Sequence, residues 1–453
     1  MKLFLIELRL MLQSRLASAA LLLFLALVSL SVYVGLQASH GQQQALARIA
    51  AEHSDDVAVV AARYRDGGEA GYAAYSTPHL TINPPSPLAF AAFGQRDLQP
   101  YSLRVRLLGL HSQLYESEQV HPDLVMLGRF DFAFVLVYLA PLFVIALMHD
   151  LLSGERERGR LRLLLSLPHR PAALWRRRIA QRLLTVLLAA LLPLAVGMAI
   201  SGAQLADFAL VVLVSVCYLG FWFGLAAVVA ARARTSAGSA ASLLACLVTL
   251  TMILPTVVNA AVARAIPVSK GVELALAQRQ AVHDGWDRPK PEPFERFFQT
   301  HPEWRATPPV NTRFHWKWYY AMHQAGDDLV AGQVAQYRQS MLERERWSAN
   351  AGLFLPSVAV QLVLHRMART DLREQLEYQS RIEAFHGTLR RFYYPYIFHQ
   401  RKFGPREFAM TPLFQSRSQP AALQAGLLAA LALLSGLAMA FGLRQAAGAE
   451  RND

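Results

Sequence analysis

The sequence predicts an α-helical polytopic membrane protein, with six transmembrane helices and two sizeable water-exposed domains. Three observations predict it. Of 453 residues, 54% are apolar and only 17% are charged, against about a quarter charged in soluble domains. The apolar residues are bunched into long blocks instead of being spaced for a soluble core. Lys and Arg outnumber Asp and Glu by 45 to 32, and those lying next to apolar blocks collect in alternate links. This composition excludes a disordered or fibrous chain.

Residues 1–15 are amphipathic, with Leu3, Leu5, Ile6, Leu10 and Leu12 opposed to Lys2, Glu7, Arg9 and Arg15. Residues 16–36 form the first span, since about 20 apolar residues cross about 30 Å of hydrocarbon. This run exceeds the roughly 7–15 residues of a signal-peptide core, so it reads as an anchor and not a cleaved leader. Residues 37–129 read as an α/β domain. A helix over 45–65 stops at Asp66-Gly67-Gly68, and 79–83 and 101–108 look extended, with period-two alternation from Ser102 to Leu107. Spans two to five are placed at 130–149, 183–200, 208–231 and 237–263, and the sixth at 421–443. The two cysteines, Cys217 and Cys246, fall inside these blocks, so neither water-exposed domain holds a disulfide.

Residues 264–420 read as a second, mainly helical domain. A Pro- and Trp-rich opening is followed by helices over 311–350 and 356–392, with Pro356 suited to a first turn. The apolar start of that second helix packs between the two domains or lies on the bilayer. The mixture Arg390-Arg391-Phe392-Tyr393-Tyr394-Pro395-Tyr396, close to the last span, reads as a headgroup marker.

Orientation follows from the basic residues. Lys2, Arg9 and Arg15, nine Arg between 150 and 182, Arg232 and Arg234, and Arg444 and Arg451 all lie at one end of a six-span bundle. Both termini are then cytoplasmic, and 37–129 and 264–420 face outward. Since this accounts for the charge, no nucleic-acid partner is called for.

Several chemistries are missing from the sequence. There is no HxxxH or HExxH pair, no GxSxG elbow and no GxxxxGK[ST] loop. His53 with Asp55 and Asp56, and the scattered His283, His301, His315 and His323, are weak metal hints that a solvated loop explains equally well. No paired carboxylates sit inside an apolar block, where a proton-driven carrier needs them. No catalytic, cofactor or metal residue is assigned, and any ATP is bound by another chain.

The informative segment is the link 150–182. Glu155, Arg156, Glu157 and Arg158 are charged and read as exposed. Leu161, Leu164, Leu165 and Leu167 then share a helical face, and Pro168 and Pro171 break the chain. A topology-setting basic loop explains the Arg residues but not an acidic pair before a short apolar helix. The segment resembles the E-x-E-x-G-[TR]-L-x-x-L-L-[ST]-x-P element of ABC-2 type transporter permeases, matched by Glu155, Glu157, Gly159, Leu161, Leu164, Leu165, Ser166 and Pro168, with Arg170 in the basic turn. Residues 1–15 are similar to that family's elbow helix. The large first exterior segment resembles the branch of gliding-motility and nitrous-oxide-maturation permeases, and an uncharacterised subgroup of paired permeases. For that subgroup the similarity lies in residues 89–98 and 127–131.

The resemblance implies an ABC-2, type V exporter-like fold in a bacterial inner membrane. It implies two ABC ATPase subunits as partners, carrying ATP and Mg, and a second permease, identical or paralogous. The residues from Glu155 to Arg170 then form the ATPase-coupling interface. The substrate class it suggests is amphipathic, lipid-like or a natural product, and the exterior domains leave room for a periplasmic partner. A secondary transporter or channel, and a membrane-anchored scaffold or sensor, are the alternatives.

Overall fold

The computed structural model describes residues 2–116, 130–159, 171–269, 271–310, 312–416 and 424–448. Within these, six helices are long and apolar enough to cross a membrane: Arg15–Ala62, Phe132–Glu157, Ala173–Ser201, Leu205–Arg232, Ser236–Ala265 and Ala425–Ala447. Every predicted span falls on one of them. An amphipathic helix, Lys2–Gln13, precedes the first and is separated from it by Ser14, whose hydroxyl accepts from Ala17 N at 3.4 Å.

The first helix is 48 residues long, about 72 Å at 1.5 Å per residue. The predicted span and the predicted helix over 45–65 are therefore one rod. Nothing between them could stop it: residues 37–44 include no proline, and a Cβ at Gly41 would meet open space.

Two spans carry a π-helical turn, Val135–Leu139 in the second and Thr249–Ile253 in the fifth, each just ahead of a proline, Pro141 or Pro255. Proline has no N–H to give the preceding turn, so carbonyls there need other donors. Tyr218 on the fourth span donates to the Val137 carbonyl at 2.7 Å, and Ser357 donates to the Leu250 carbonyl at 2.9 Å. The fourth and sixth spans approach most closely. A Cβ at Gly220 would lie 2.6 Å from Ser435 Oγ, and one at Gly224 would collide with the backbone at Ala438 and Met439. Small residues four apart allow such contact between membrane helices.

The two large polar segments fold around one core and form a single lobe. Tyr64, Ala73, Leu110 and Tyr115 of the first pack with Phe297, Tyr320, Tyr378 and Phe398 of the second. Strand β1 (Gly68–Glu69) pairs antiparallel with β4 (Lys402–Phe403), joining the segments directly, and β2 (His79–Ile82) pairs with β3 (Ser102–Val105) within the first. The second segment is mainly helical, with Gly271–Asp287, Pro291–Thr300 and the 37-residue helix Trp316–Gly352.

The predicted helix over 356–392 is two helices, Pro356–Ala368 and Leu372–Phe398. Arg369 takes a left-handed conformation (φ 54°), and Asp371 caps the second helix through Glu374 N. Asp favours caps over helix interiors, and that preference outweighs the apolar periodicity here. The break lets Pro356–Ala368 lie among the spans, with Gln361 donating to the Tyr138 hydroxyl of the second at 2.8 Å.

Beside it, the loop from Leu88 to Phe93 is buried throughout. Its Phe90 fills space that side chains at Gly35 of the first span and Gly197 of the third would need. Asp131 caps the second span through Phe134 N and accepts from Phe93 N at 2.7 Å. Residues 390–396 do not mark a headgroup layer. Tyr393 and Tyr394 are buried in the lobe core, and Arg390 is paired with Asp327 at 2.6 Å.

Candidate coupling site

The second span ends in a turn at 149–152 and a five-residue helix, Ser153–Glu157. Each of its last three side chains points to a different part of the bundle. Glu155 lies 3.7 Å from Arg178 at the start of the third span, and Arg178 reaches Glu7 of the amphipathic helix at 3.2 Å. Arg156 donates to the Ala233 carbonyl at 2.7 Å and to the Ala231 carbonyl at 3.4 Å, at the end of the fourth span. Glu157 accepts from Ser236 N at 3.1 Å and Ser236 Oγ at 2.7 Å, at the start of the fifth.

The pairing follows from the peptide dipoles. The last carbonyls of a helix lack intrahelical donors and favour a cation, while the first N–H groups lack acceptors and favour an anion. Arg156 meets a C-terminus and Glu157 an N-terminus, so consecutive residues of opposite charge hold the fourth-to-fifth connection from both sides. Thr235 completes the fifth span's start by accepting from Gly238 N at 3.1 Å.

Sequence reasoning read Glu155 to Arg158 as a simply exposed charged run. Arg156 and Glu155 are in fact half-buried and bonded within the chain, and Glu157 is exposed but committed to Ser236. Their partners at Arg178, Ala231, Ala233 and Ser236 stand 23 to 79 residues away, and no local pattern in the link signals them. Gly159 is left-handed (φ 66°) with nothing near the position of a Cβ. It ends the short helix in the manner of a glycine C-terminal stop. Leu161, Leu164, Leu165, Ser166, Pro168 and Arg170, the rest of the predicted interface, lie outside the described residues.

Arg178 also stacks over Trp175, 5.4 Å from the ring centroid, and Trp175 is 1% exposed. The guanidinium joining Glu155 to Glu7 is thus held by a buried ring as well as by two carboxylates. Among the described residues, no group of three His, Cys, Asp or Glu is arranged to hold a metal ion. His53 sits instead beside Asp56 and Arg104, and His323 accepts from Gly109 N at 3.1 Å.

No curated protein and no solved structure matches the chain. Two family models do. One, described as a domain of unknown function (DUF3526), covers residues 272–417 and so the helical part of the lobe. The other covers residues 1–284, taking in the amphipathic helix, five spans and the clamp made by Glu155, Arg156 and Glu157. The chain belongs to the ABC-2 family of transporter proteins, as a membrane permease with an additional domain.

Proposed function

We propose that the chain is the transmembrane subunit of an ATP-driven exporter of amphipathic or lipid-like substrates, powered by separate ATPase subunits that push on residues 150–170. Both termini are cytoplasmic in this reading, the lobe stands outside the inner membrane, and a second permease completes the pathway. The observation that carries it is the clamp. A short segment at the end of the second span is bonded to the third, fourth and fifth spans and, through Arg178, linked to the amphipathic helix, so a force applied to it reaches most of the bundle at once. The charge pattern supports the orientation, since the basic residues next to the spans concentrate at the end that carries both termini.

The test is co-purification with a candidate ABC ATPase subunit, followed by transport-coupled hydrolysis. Leu164→Asp should lose assembly or coupling, because a carboxylate buried in an apolar contact costs several kcal/mol. Arg234→Gln, an exposed change in the neighbouring loop, is the control and should cost about 1 kcal/mol or less. Wild-type behaviour from Leu164→Asp would remove the segment from the interface. The orientation is tested separately with Glu52→Cys and Gln339→Cys in a Cys217→Ala, Cys246→Ala background. Labelling by an impermeant reagent in intact cells is expected at both positions, and protection until lysis would invert the orientation.

A further inference from the structure

Next to the clamp lies a cavity of about 270 Å3, walled by the amphipathic helix and the adjoining ends of the first, second and third spans. One side is apolar: Leu10 and Leu16 line it and are 53% and 65% exposed, where a bilayer would cover them. The other side is polar, with Ser14, Asp150, Gln181 and Arg182.

The charges lining it balance, Arg158, Arg178 and Arg182 against Glu7, Asp150 and Glu155. Arg178 is already engaged by Glu7 and Glu155. That leaves Asp150 and two cations, Arg182 inside the cavity and Arg158 at its exposed edge, without a salt bridge among the described residues. Arg182 is half-buried, and among the described residues its guanidinium donates only to the Leu147 carbonyl. Asp150 is near enough to act on Arg182 electrostatically, but no salt bridge joins them. Gln181 is 1% exposed, and among the described residues its amide donates to Met11 Sδ at 3.5 Å and Thr185 Oγ1 at 3.4 Å. A guanidinium has five N–H donors, and leaving buried donors unused is unfavourable. The cavity is built for a guest that carries both charges.

We propose that this cavity holds the headgroup of a phospholipid bearing a phosphate and a primary ammonium, the phosphate on Arg182 and the ammonium on Asp150. Ser14 and Gln181 supply further donors to the phosphate, and the acyl chains leave along Leu10 and Leu16. A purely anionic headgroup would set Asp150 against its phosphate, and a quaternary ammonium has no N–H to offer that carboxylate. The guest rests against Arg178, the residue through which Glu155 reaches Glu7. Bilayer composition thereby acts on the clamp.

The site is tested on the purified full-length chain alone, by native mass spectrometry of lipid retained after delipidation and back-titration. The lipids are phosphatidylethanolamine, phosphatidylglycerol and phosphatidylcholine, with soluble phosphoethanolamine as the chain-free arm. Wild type should retain phosphatidylethanolamine over the other two by about tenfold, as two charge-assisted contacts warrant. Arg182→Gln should abolish that retention, and Asp150→Asn should turn the preference toward phosphatidylglycerol. Soluble phosphoethanolamine should fail to displace the lipid. Equal retention of all three lipids, or an unchanged preference in Asp150→Asn, overturns the proposal whether or not Arg182→Gln folds. Displacement by phosphoethanolamine overturns it in favour of a free-headgroup site. No ATPase enters the measurement, so its failure is distinct from failure of the exporter reading.

Discussion

The bundle is tied off differently at its two ends. At the end bearing both termini, the joint is a handful of charged contacts: the ion pair of Glu155 with Arg178, and the hydrogen bonds of Arg156 to two carbonyls and of Glu157 to Ser236. At the lobe end, the joint is close-packed. Phe90, at 0% exposure, stands against Gly35 and Gly197, and Ala359, Val360 and Val363 of Pro356–Ala368 lie in the same core as the spans. Charged contacts at a partly exposed surface exchange with water at little net cost. Packed interiors have discrete arrangements and resist small deformations. The first joint is suited to being pushed, and the second to carrying the displacement without loss.

The sharpest way to break that comparison is Phe90→Ala. Emptying a fully buried aromatic site costs about 3–5 kcal/mol, so the melting temperature in detergent should fall strongly. A negligible change would mean that the lobe is not held by this loop. Asp327→Asn should come close behind. It leaves Arg390 buried without its carboxylate and leaves a single oxygen to accept from both Leu110 N and His111 N, which costs about 3–5 kcal/mol for a broken buried pair. The loss should appear as protease sensitivity of the lobe, with the spans still inserted.

Acid should separate the two ends further. Burial pushes His79 and His386 in the lobe down to about 3, from about 6.5 when unfolded. The unfolded lobe therefore binds more protons between those values. Stability is complete above about pH 6.5 and is lost as pH falls toward 3, by about 2 kcal/mol per residue at pH 5. A pH series of thermal melts reads this directly, and His386→Phe should flatten it. A lobe melting at the same temperature from pH 7 to 5 would contradict the assignment. The smallest effect on stability is expected from Glu157→Gln. That exposed cap should leave the melting temperature almost unchanged while uncoupling hydrolysis from transport. If melting falls and coupling survives, the clamp is structural.

The six spans were legible because a run of about 20 apolar residues has few other uses. The link 150–182 stood out through its resemblance to a family element, and within it Gly159 ends the short helix Ser153–Glu157 in a left-handed conformation. What stayed hidden depends on distant pairing. Strands β1 and β4 are two residues each and stand more than 300 positions apart, too short to leave any alternation. The break at Arg369 was masked by helical periodicity on both sides, with Thr370 and Asp371 the only signal. Arg156 looked like any exposed loop arginine, since its acceptors are backbone carbonyls, which sequence does not display.

The 48-residue first helix acts as a lever. Its lower part crosses the membrane within reach of the clamp, and its upper end stands beside β1, where Tyr64 packs on Phe408 at a ring separation of 5.3 Å. With roughly 54 Å of rod above the bilayer midpoint, a tilt of about 5° carries the tip sideways by about 5 Å. A small rocking of that span would thus be carried to the lobe as a displacement of several ångströms.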